Sequence, residues 1–169
     1  MKKIGILSDT HHCFDDPLRR FFLAVDELWH AGDIGAIGLA EELSVFKPLR
    51  AVYGNIDGGD VRAVYPRCLR FAVEGVDVLM THIGGYPGRY APEVLPLLQS
   101  CPPKLFVAGH SHILKVVYDP VFQLLHINPG AAGIYGFHKV RTAVRLVIDG
   151  GDIRDLEILE FGVRGSCTI

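Results

Sequence analysis

The fold of this chain is decided by the stretch Lys3-Ile4-Gly5-Ile6-Leu7-Ser8-Asp9-Thr10-His11. Its first half is a short apolar run of the kind that forms a buried β-strand, and it ends in polar residues that can bind a metal ion. One residue separates Asp9 from His11, so both side chains can reach the same side of the backbone where the strand ends. The stretch therefore predicts a buried strand with candidate metal ligands at its carboxyl end.

The same pattern occurs four more times along the chain. In each case a short apolar run is followed directly by Asp, Asn or His. The runs are 28–32 before Asp33, 49–54 before Asn55, 76–81 before His82, and 105–109 before His110-Ser111-His112. Ligands that recur at strand ends predict one site, assembled along the edge of a sheet.

Strands and helices alternate in the first half of the chain. Asp16-Pro17 offers an N-cap followed by proline at the first helical position, and the apolar spacing that follows predicts a helix reaching towards Leu28. A second helix is predicted over 37–46, because Pro48 disfavours helix in the residue before it. Strands that alternate with helices favour βαβ units with parallel pairing.

From about Phe71 the pattern becomes mostly β. Glu74-Gly75 separates two strand-like runs and predicts a hairpin, and 84–90 is interpreted as a loop that could contact a substrate. A helix is predicted over 92–99, and strands over 104–107, 113–118, 122–127, 142–148 and 153–159. We expect an α/β fold with a mixed sheet or a two-sheet sandwich, helices outside, forming a single domain over 1–169.

The composition argues against several classes of protein. The chain is 49% hydrophobic and 21% charged, which is ordinary for a globular protein. A formal net charge of -2, without any run of Lys and Arg, disfavours nucleic-acid binding by broad electrostatics. No apolar stretch approaches the roughly 20 residues of a membrane span, and the first apolar run is too short for a signal peptide. The four scattered cysteines are expected to be reduced thiols. We therefore expect a cytoplasmic protein with no membrane partner, and leave a homo-oligomer open.

The candidate metal ligands form a set with a definite chemistry. Carboxylate oxygen, imidazole nitrogen and amide oxygen together suit borderline divalent ions better than a calcium cage or a thiolate site. Seven ligands exceed what one tetrahedral ion uses but fit two ions that share a carboxylate, the usual arrangement for hydrolysing phosphate esters. The set is Asp9, His11, Asp33, Asn55, His82, His110 and His112.

Taken in order, these motifs resemble the calcineurin-like metallophosphoesterase superfamily. The motifs are Asp9-x-His11, Gly32-Asp33, Gly54-Asn55, His82 and Gly109-His110-x-His112, and the later Asn128-Pro129-Gly130 resembles the small prokaryotic phosphodiesterase branch. The resemblance covers the chain from Lys3 to about Gly130. It implies a four-layer α/β/β/α sandwich of two mixed β-sheets flanked by helices. It also implies two divalent metal ions, with Mn²⁺ expected and Fe²⁺, Zn²⁺ or Ni²⁺ as alternatives.

The resemblance also implies a role for each ligand. One ion belongs to Asp9, His11 and His112, the other to Asn55, His82 and His110, and Asp33 bridges them. Asp33, Asn55 and His82 are the expected catalytic residues. A hydroxide held between the ions attacks phosphorus in line with the leaving oxygen. The expected substrate is a small phosphoester, and a phosphodiester by analogy with the small branch.

One position departs from the family pattern. Many larger members carry a histidine directly after the Asn, and it is thought to stabilise the transition state or protonate the leaving group. This chain has Ile56 there, so we expect a preference for substrates with good leaving groups. Asp57 matches the acidic position that follows and could orient a neighbouring ligand.

Two alternatives and several further histidines stay open. The alternatives are a non-catalytic protein-interaction scaffold of the same fold and a regulatory nucleotide-binding domain with a vestigial reaction. The intact ligand set favours an enzyme over the scaffold, and metal content followed by hydrolysis of an aryl phosphodiester would separate the interpretations. His30 is interpreted as a core or supporting residue, and His126 as a strand residue. The segment 134–139 could return towards the metals, and His138, Lys139 or Arg141 is a candidate for contact with phosphate.

Overall fold

A computed structural model describes residues 1–163 of the chain, and these residues form two five-stranded sheets. The first sheet has the order β12-β11-β1-β2-β3 and the second the order β4-β5-β8-β10-β9. The strands are β1 (Lys2–Leu7), β2 (Glu27–His30), β3 (Leu49–Ala51), β4 (Cys68–Val73), β5 (Val76–Thr81), β6 (Gly85–Tyr86), β7 (Arg89–Tyr90), β8 (Leu105–Val107), β9 (Leu114–Asp119), β10 (Leu124–Pro129), β11 (Val140–Asp149) and β12 (Asp152–Val163). The helices are α1 (Asp16–Phe22), α2 (Ile37–Phe46), α3 (Gly59–Val64) and α4 (Leu95–Ser100).

Both sheets are mixed, and each has three parallel strands at its centre or on one side. β1, β2 and β3 are parallel, while β11 and β12 join them antiparallel. In the second sheet β5, β8 and β10 are parallel, and β4 and β9 form the antiparallel edges. Parallel strands end at the same edge of a sheet, so residues that follow them along the chain gather there.

Three hydrophobic clusters hold the sheets and helices together. The largest lies between the sheets and includes Ile6 and Trp29 from one sheet and Met80 and Val107 from the other, all fully buried. Full burial of such side chains stabilises the fold by about 1.5–3 kcal/mol each. A second cluster joins α1 and α2 to the first sheet. A third packs Leu98 of α4 on the second sheet.

The structure confirms an α/β fold with two mixed sheets. In the described part of the chain, however, the helices are four short segments of 6 to 10 residues. This is less helix than the two outer helical layers of the expected four-layer sandwich would require. The prediction for α2 is confirmed at both ends, and the hairpin of β4 and β5 is confirmed as well.

The prediction that the first helix continues towards Leu28 is wrong. α1 ends at Phe22, and Leu28 lies in β2, where it pairs with Gly5 on one side and Leu49 on the other. β2 is buried at all four of its positions, so apolar residues can lie on either of its faces. Leu28 therefore fits the apolar spacing of the helix before it, although it belongs to the strand. Sequence reasoning also missed α3 and the β6–β7 hairpin, which are too short to show a period.

Two further expectations concern cysteines and membranes. Cys68 and Cys101 are free thiols, whereas Cys13 is disulfide-bonded, which corrects the expectation of a reduced thiol there. Distance along the sequence does not limit which cysteines meet in a fold. Cys167 lies outside the described residues. No helix among the residues described has the length and apolar character needed to cross a membrane.

Candidate metal centre

The sheet topology brings the predicted ligands to one place. Asp9 follows β1, Asp33 follows β2 and Asn55 follows β3 at one edge of the first sheet. His82 follows β5 and His110 follows β8 at the corresponding edge of the second sheet. Because the two sheets pack face to face through the main core, these two edges lie beside each other and form a single site.

Most of the predicted ligands have a strained backbone. Non-glycine residues rarely adopt a left-handed conformation, and each instance costs on the order of 1–3 kcal/mol. Five of the seven do so here: φ is 52° at Asp9, 42° at His11, 57° at Asp33, 68° at His110 and 59° at His112. Strain of this kind persists where the surrounding structure holds the side chains in a required position, so it supports a functional role for this edge.

Glycines that precede ligands leave no room for a side chain. A Cβ at Gly54 would overlap the carboxylate and backbone nitrogen of Asp33. A Cβ at Gly109 would overlap the hydroxyl of Ser8 and crowd the carboxylate of Asp9. Each of these glycines therefore allows a ligand on another strand to approach closely.

The first ligand group consists of Asp9, His11 and His112, whose ligand atoms all lie within 4.8 Å of one another. Asp9 is fully buried, and its Oδ1 lies 3.1 Å from Nε2 of His112. Oδ1 of Asp9 and Nε2 of His11 have no hydrogen-bond partner among the described residues. Buried polar atoms are almost always paired, so two orphaned atoms pointing into one space indicate a ligand that both would bind.

The second ligand group consists of Asp9, Asp33 and His82. Nε2 of His82 lies 3.2 Å from Oδ2 of Asp33 and 3.1 Å from Oδ1 of Asn55. Nδ1 of His82 lies 2.7 Å from the carbonyl oxygen of Ala31 and must donate to it, because a carbonyl only accepts. In neutral His82 the lone pair of Nε2 therefore faces two acceptor oxygens. A cation at their centre resolves this arrangement.

His110 occupies a different position from the other histidines. Its ring centroid lies 5.2 Å from that of His82, and its backbone N–H donates to Oδ2 of Asp9 at 3.1 Å. The side chain lines the same open cavity as His11, Asp33 and Asn55. His110 belongs to neither compact group of ligand atoms, so its role as a ligand stays a prediction.

The pKa values of the ligand side chains reflect both their burial and the groups that they contact. Burial alone would raise the pKa of Asp33, but His82 and the backbone N–H of Ile56 lower it overall. Burial alone would lower the pKa of His82, but Asp33 and Asp9 outweigh that effect and raise it. Burial lowers the pKa of His11. In the absence of a metal, a proton on His82 partly offsets the two buried carboxylates, so a bound cation and this proton compete.

Residues around the ligands hold them in place. The hydroxyl of Ser8 donates to Oδ2 of Asp9 at 2.6 Å. The carboxylate of Asp57 accepts from the backbone N–H groups of Gly35 and Gly54 at 2.8 Å each, and so joins the loops that carry Asp33 and Asn55. Asp57 thus supports neighbouring ligands, as expected. His30 is fully buried and accepts from the backbone N–H of Gly32, so its interpretation as a supporting residue is confirmed.

His138 lies beside the candidate ligand His112, in a segment that the sequence suggested could return towards the metals. Its Nδ1 lies 3.1 Å from Nδ1 of His112, and its Nε2 lies 2.9 Å from the carbonyl oxygen of Gly133. The expected contact was with phosphate. His138 and His112 are 26 residues apart along the chain, and His138 lies on a loop with no periodic pattern. Residue spacing therefore gave no signal for this particular contact.

The arrangement fits a divalent metal. Nitrogen and oxygen donors converge, two of them lack any other partner, and no thiol takes part in either group. Asp9, His11 and His112 would hold one ion, and Asp9, Asp33 and His82 surround a second position. Such a donor set suits Mn²⁺, Fe²⁺ or Zn²⁺.

Two packed mixed sheets with converging Asp and His donors at their common edge are the features to compare with known proteins. The family model for the calcineurin-like phosphoesterase superfamily domain matches residues 1–151. The chain belongs to this superfamily.

The chain is also similar to individual proteins, and the solved structures among them share its fold. A probable metallophosphoesterase from Methanothermobacter thermautotrophicus is 28% identical over 166 residues, covering 94% of this chain and 92% of that protein. An archaeal phosphodiesterase structure is 22% identical, with a TM-score of 0.69 over 93% of this chain and 99% of that one. The structure of Vps29 from Entamoeba histolytica complexed with Zn²⁺ is 14% identical, with a TM-score of 0.69 over 95% of this chain and 99% of that one.

Proposed function

We propose that this protein is a dinuclear metal-dependent phosphodiesterase that acts on a small phosphoester, and that residues 1–169 belong to one metallophosphoesterase domain. The observation that carries the proposal is the convergence of ligand atoms around Asp9 and Asp33, where buried donors lack other partners. The names of the archaeal phosphodiesterase and of the probable metallophosphoesterase support the same reaction class.

The chain's own residues would bind and orient the reacting groups. Asp9 belongs to both ligand groups. Asp33 lies 3.9 Å from His11 and 3.2 Å from His82, so each of these two carboxylates would be in reach of both metal positions. Asn55 places its amide oxygen beside His82 and is open to solvent. When bound, divalent ions supply Lewis-acid chemistry by activating the attacking water and offsetting charge on the phosphoryl oxygens. Mn²⁺ is our proposed ion.

Ile56 supports a preference for good leaving groups. It lines the cavity together with Asp33, Asn55 and His110, and its side chain is 45% exposed. A hydrocarbon there cannot protonate a leaving oxygen, although general acid catalysis is typically worth about 10²–10⁴-fold. We therefore propose activated phosphodiesters as preferred substrates.

The second candidate is a protein-interaction scaffold with the same fold. The two candidates differ in the role of the buried metal-ligand residues. In a scaffold that binds no metal, the strained backbone and the unpaired polar atoms of Asp9 and His11 would serve no purpose. The completeness of the donor set favours the enzyme.

The test is Mn²⁺ titration followed by hydrolysis of bis(p-nitrophenyl) phosphate. We expect D33N and H82A each to lower kcat/KM at least 100-fold, because each alters a group that would hold the catalytic metal ions. D155N, which alters an exposed carboxylate at the irregularity in the pairing of β12 with β11, is the matched control and should behave as the unaltered protein. Absence of metal uptake and of hydrolysis would support the scaffold instead.

A further inference from the structure

A cavity next to the metal centre carries positive charge that the reaction itself does not use. It has a volume of about 290 Å³, and its walls include Tyr53, Asn55, Arg62, Arg67, Thr81 and His82. Asn55 and His82 belong to the metal centre, so the cavity opens directly beside the position of the reacting phosphate. Two arginines line it, and no Asp or Glu does so among the described residues.

Arg62 is held in place by neutral groups. Its Nε donates to the carbonyl oxygen of Asp57 at 2.6 Å, and Nη2 donates to that of Asn55 at 3.1 Å. Its guanidinium carbon lies 4.9 Å from the ring centroid of Tyr53. Within residues 1–163, Arg62 forms no salt bridge to a carboxylate, so its charge remains available to a ligand. An ordered guanidinium loses little entropy when it binds an anion.

Arg67 is the second arginine that lines the cavity. Two hydrogen bonds anchor the backbone here. The carbonyl oxygen of Arg67 accepts from the Thr81 hydroxyl at 3.2 Å, and the carbonyl oxygen of Pro66 accepts from the backbone N–H of Tyr53 at 3.0 Å. The side chain of Arg67 pairs with Glu93, and both partners are more than half exposed. Exposed ion pairs are worth only about 0–1 kcal/mol, so an incoming anion can compete with Glu93 for Arg67.

We propose that this cavity binds a second anionic group of the substrate, a phosphate that the substrate carries in addition to the one being hydrolysed. The inference rests on the proposed function. Planar guanidinium groups bind phosphate oxygens through paired, charge-assisted hydrogen bonds, and the cavity is large enough for a phosphate with part of its attached sugar. The substrate class is thus a phosphodiester of a nucleotide or sugar that bears a further phosphate.

Two chromogenic esters that differ by one phosphate test the proposal. They are the p-nitrophenyl ester of thymidine 5′-phosphate and the same ester with an added 3′-phosphate; the leaving group is identical. With the Mn²⁺-loaded protein, we expect the added phosphate to raise kcat/KM at least about tenfold, as one charge-assisted hydrogen bond typically provides. R62Q and R67Q should each bring the ratio of kcat/KM between the two esters close to 1.

Glu93 provides a variant that should act in the opposite direction. E93Q releases Arg67 from its carboxylate, so we expect the ratio between the two esters to rise above that of the unaltered protein. R154Q and E157Q are the matched controls: they remove the same charges from other exposed ion pairs and should leave the ratio unchanged. Equal kcat/KM for the two esters, or a ratio unaffected by both R67Q and E93Q, would overturn the proposal.

A binding measurement separates this inference from the proposed function. Thymidine 3′,5′-bisphosphate and thymidine 5′-phosphate are titrated calorimetrically into the metal-free protein and into R67Q. Tighter binding of the bisphosphate that R67Q abolishes would support the anion site even if neither ester were hydrolysed, in which case the proposed function would fail alone. Hydrolysis of both esters with equal affinity for the two nucleotides would instead reject the anion site alone.

Discussion

At the residue scale, hydrogen bonds determine where the protons lie on two neighbouring histidines. The carbonyl oxygen of Gly133 can only accept, so Nε2 of His138 carries a proton and its Nδ1 accepts when the ring is neutral. Nδ1 of His112, 3.1 Å away, must then be the donor. This leaves the lone pair of Nε2 of His112 directed towards Asp9. His138 is therefore a positioning residue that presents the lone pair of His112 to a metal.

Replacing His138 tests this relay. We expect H138A to weaken Mn²⁺ binding about 10–100-fold, the usual effect of removing a hydrogen-bond partner of a metal-bound histidine. H138Q keeps an acceptor oxygen and should recover part of the affinity, which simple loss of packing would not allow. Calorimetric titration with Mn²⁺ measures both. H12Q, at an exposed position next to His11 in the sequence, is the control. Equal weakening in H138Q and H138A would contradict the relay.

At the element scale, the turns that follow the parallel strands are as specific as the ligands that they carry. Gly-Asp, Gly-Asn and Gly-His each place a glycine at the last position before a ligand. The sequence showed these pairs but not their purpose, because the group that each glycine approaches belongs to a strand far away along the chain. Gly54 meets Asp33, and Gly109 meets Ser8 and Asp9, only after the strands have paired and the sheets have packed.

A methyl group at Gly54 tests the role of these turns. In G54A the new Cβ overlaps the Asp33 carboxylate, so we expect Mn²⁺ affinity to fall at least tenfold and thermal stability to fall with it. G38A is the matched control, since a Cβ at Gly38 in α2 meets no atom within 4 Å; it should bind metal normally and gain up to about 1 kcal/mol of stability. Metal binding in G54A equal to that in G38A would refute this account.

At the scale of the whole molecule, burial of His126 links stability to pH. His126 is fully buried on β10, and neither ring nitrogen has a hydrogen-bond partner among the described residues. Burial, assisted by the nearby Lys115 charge, lowers its pKa to about 4. The unfolded chain, with an ordinary histidine pKa of about 6.5, binds the proton more readily than the folded one. Stability is therefore fully present above pH 6.5 and is lost as the pH falls towards 4.

Urea denaturation between pH 7.5 and pH 4 measures this effect. The free energy of unfolding should fall by roughly 3 kcal/mol through His126 over this interval, in addition to contributions from other groups. H126L should lose that part of the slope and gain about 1 kcal/mol at pH 7.5, since an unpaired buried polar group is removed. The exposed variant H12Q should retain the slope of the unaltered protein. An unchanged slope in H126L would rule out His126 as the cause.

The sequence by itself determined the alternation of strands and helices, the bounds of α2, the β4–β5 hairpin and the candidate ligand types. These features depend on local properties: the period of apolar residues, the restrictions imposed by proline, and the donor atoms of Asp, Asn and His. The end of α1 could not be predicted, because Leu28 belongs to a strand whose burial depends on β1 and β3. The ligand roles and the two-ion assignment stay predictions.

Only the tertiary structure decided which side chains meet across the two sheets. The contact of His138 with His112, the orphaned atoms of Asp9 and His11, and the two arginines beside Asn55 and His82 all join residues from different elements. No local pattern encodes such contacts, because they arise from the relative placement of two sheets that hydrophobic burial drives together. Local sequence specifies strands and donor atoms, whereas sheet packing specifies the geometry in which those atoms can act.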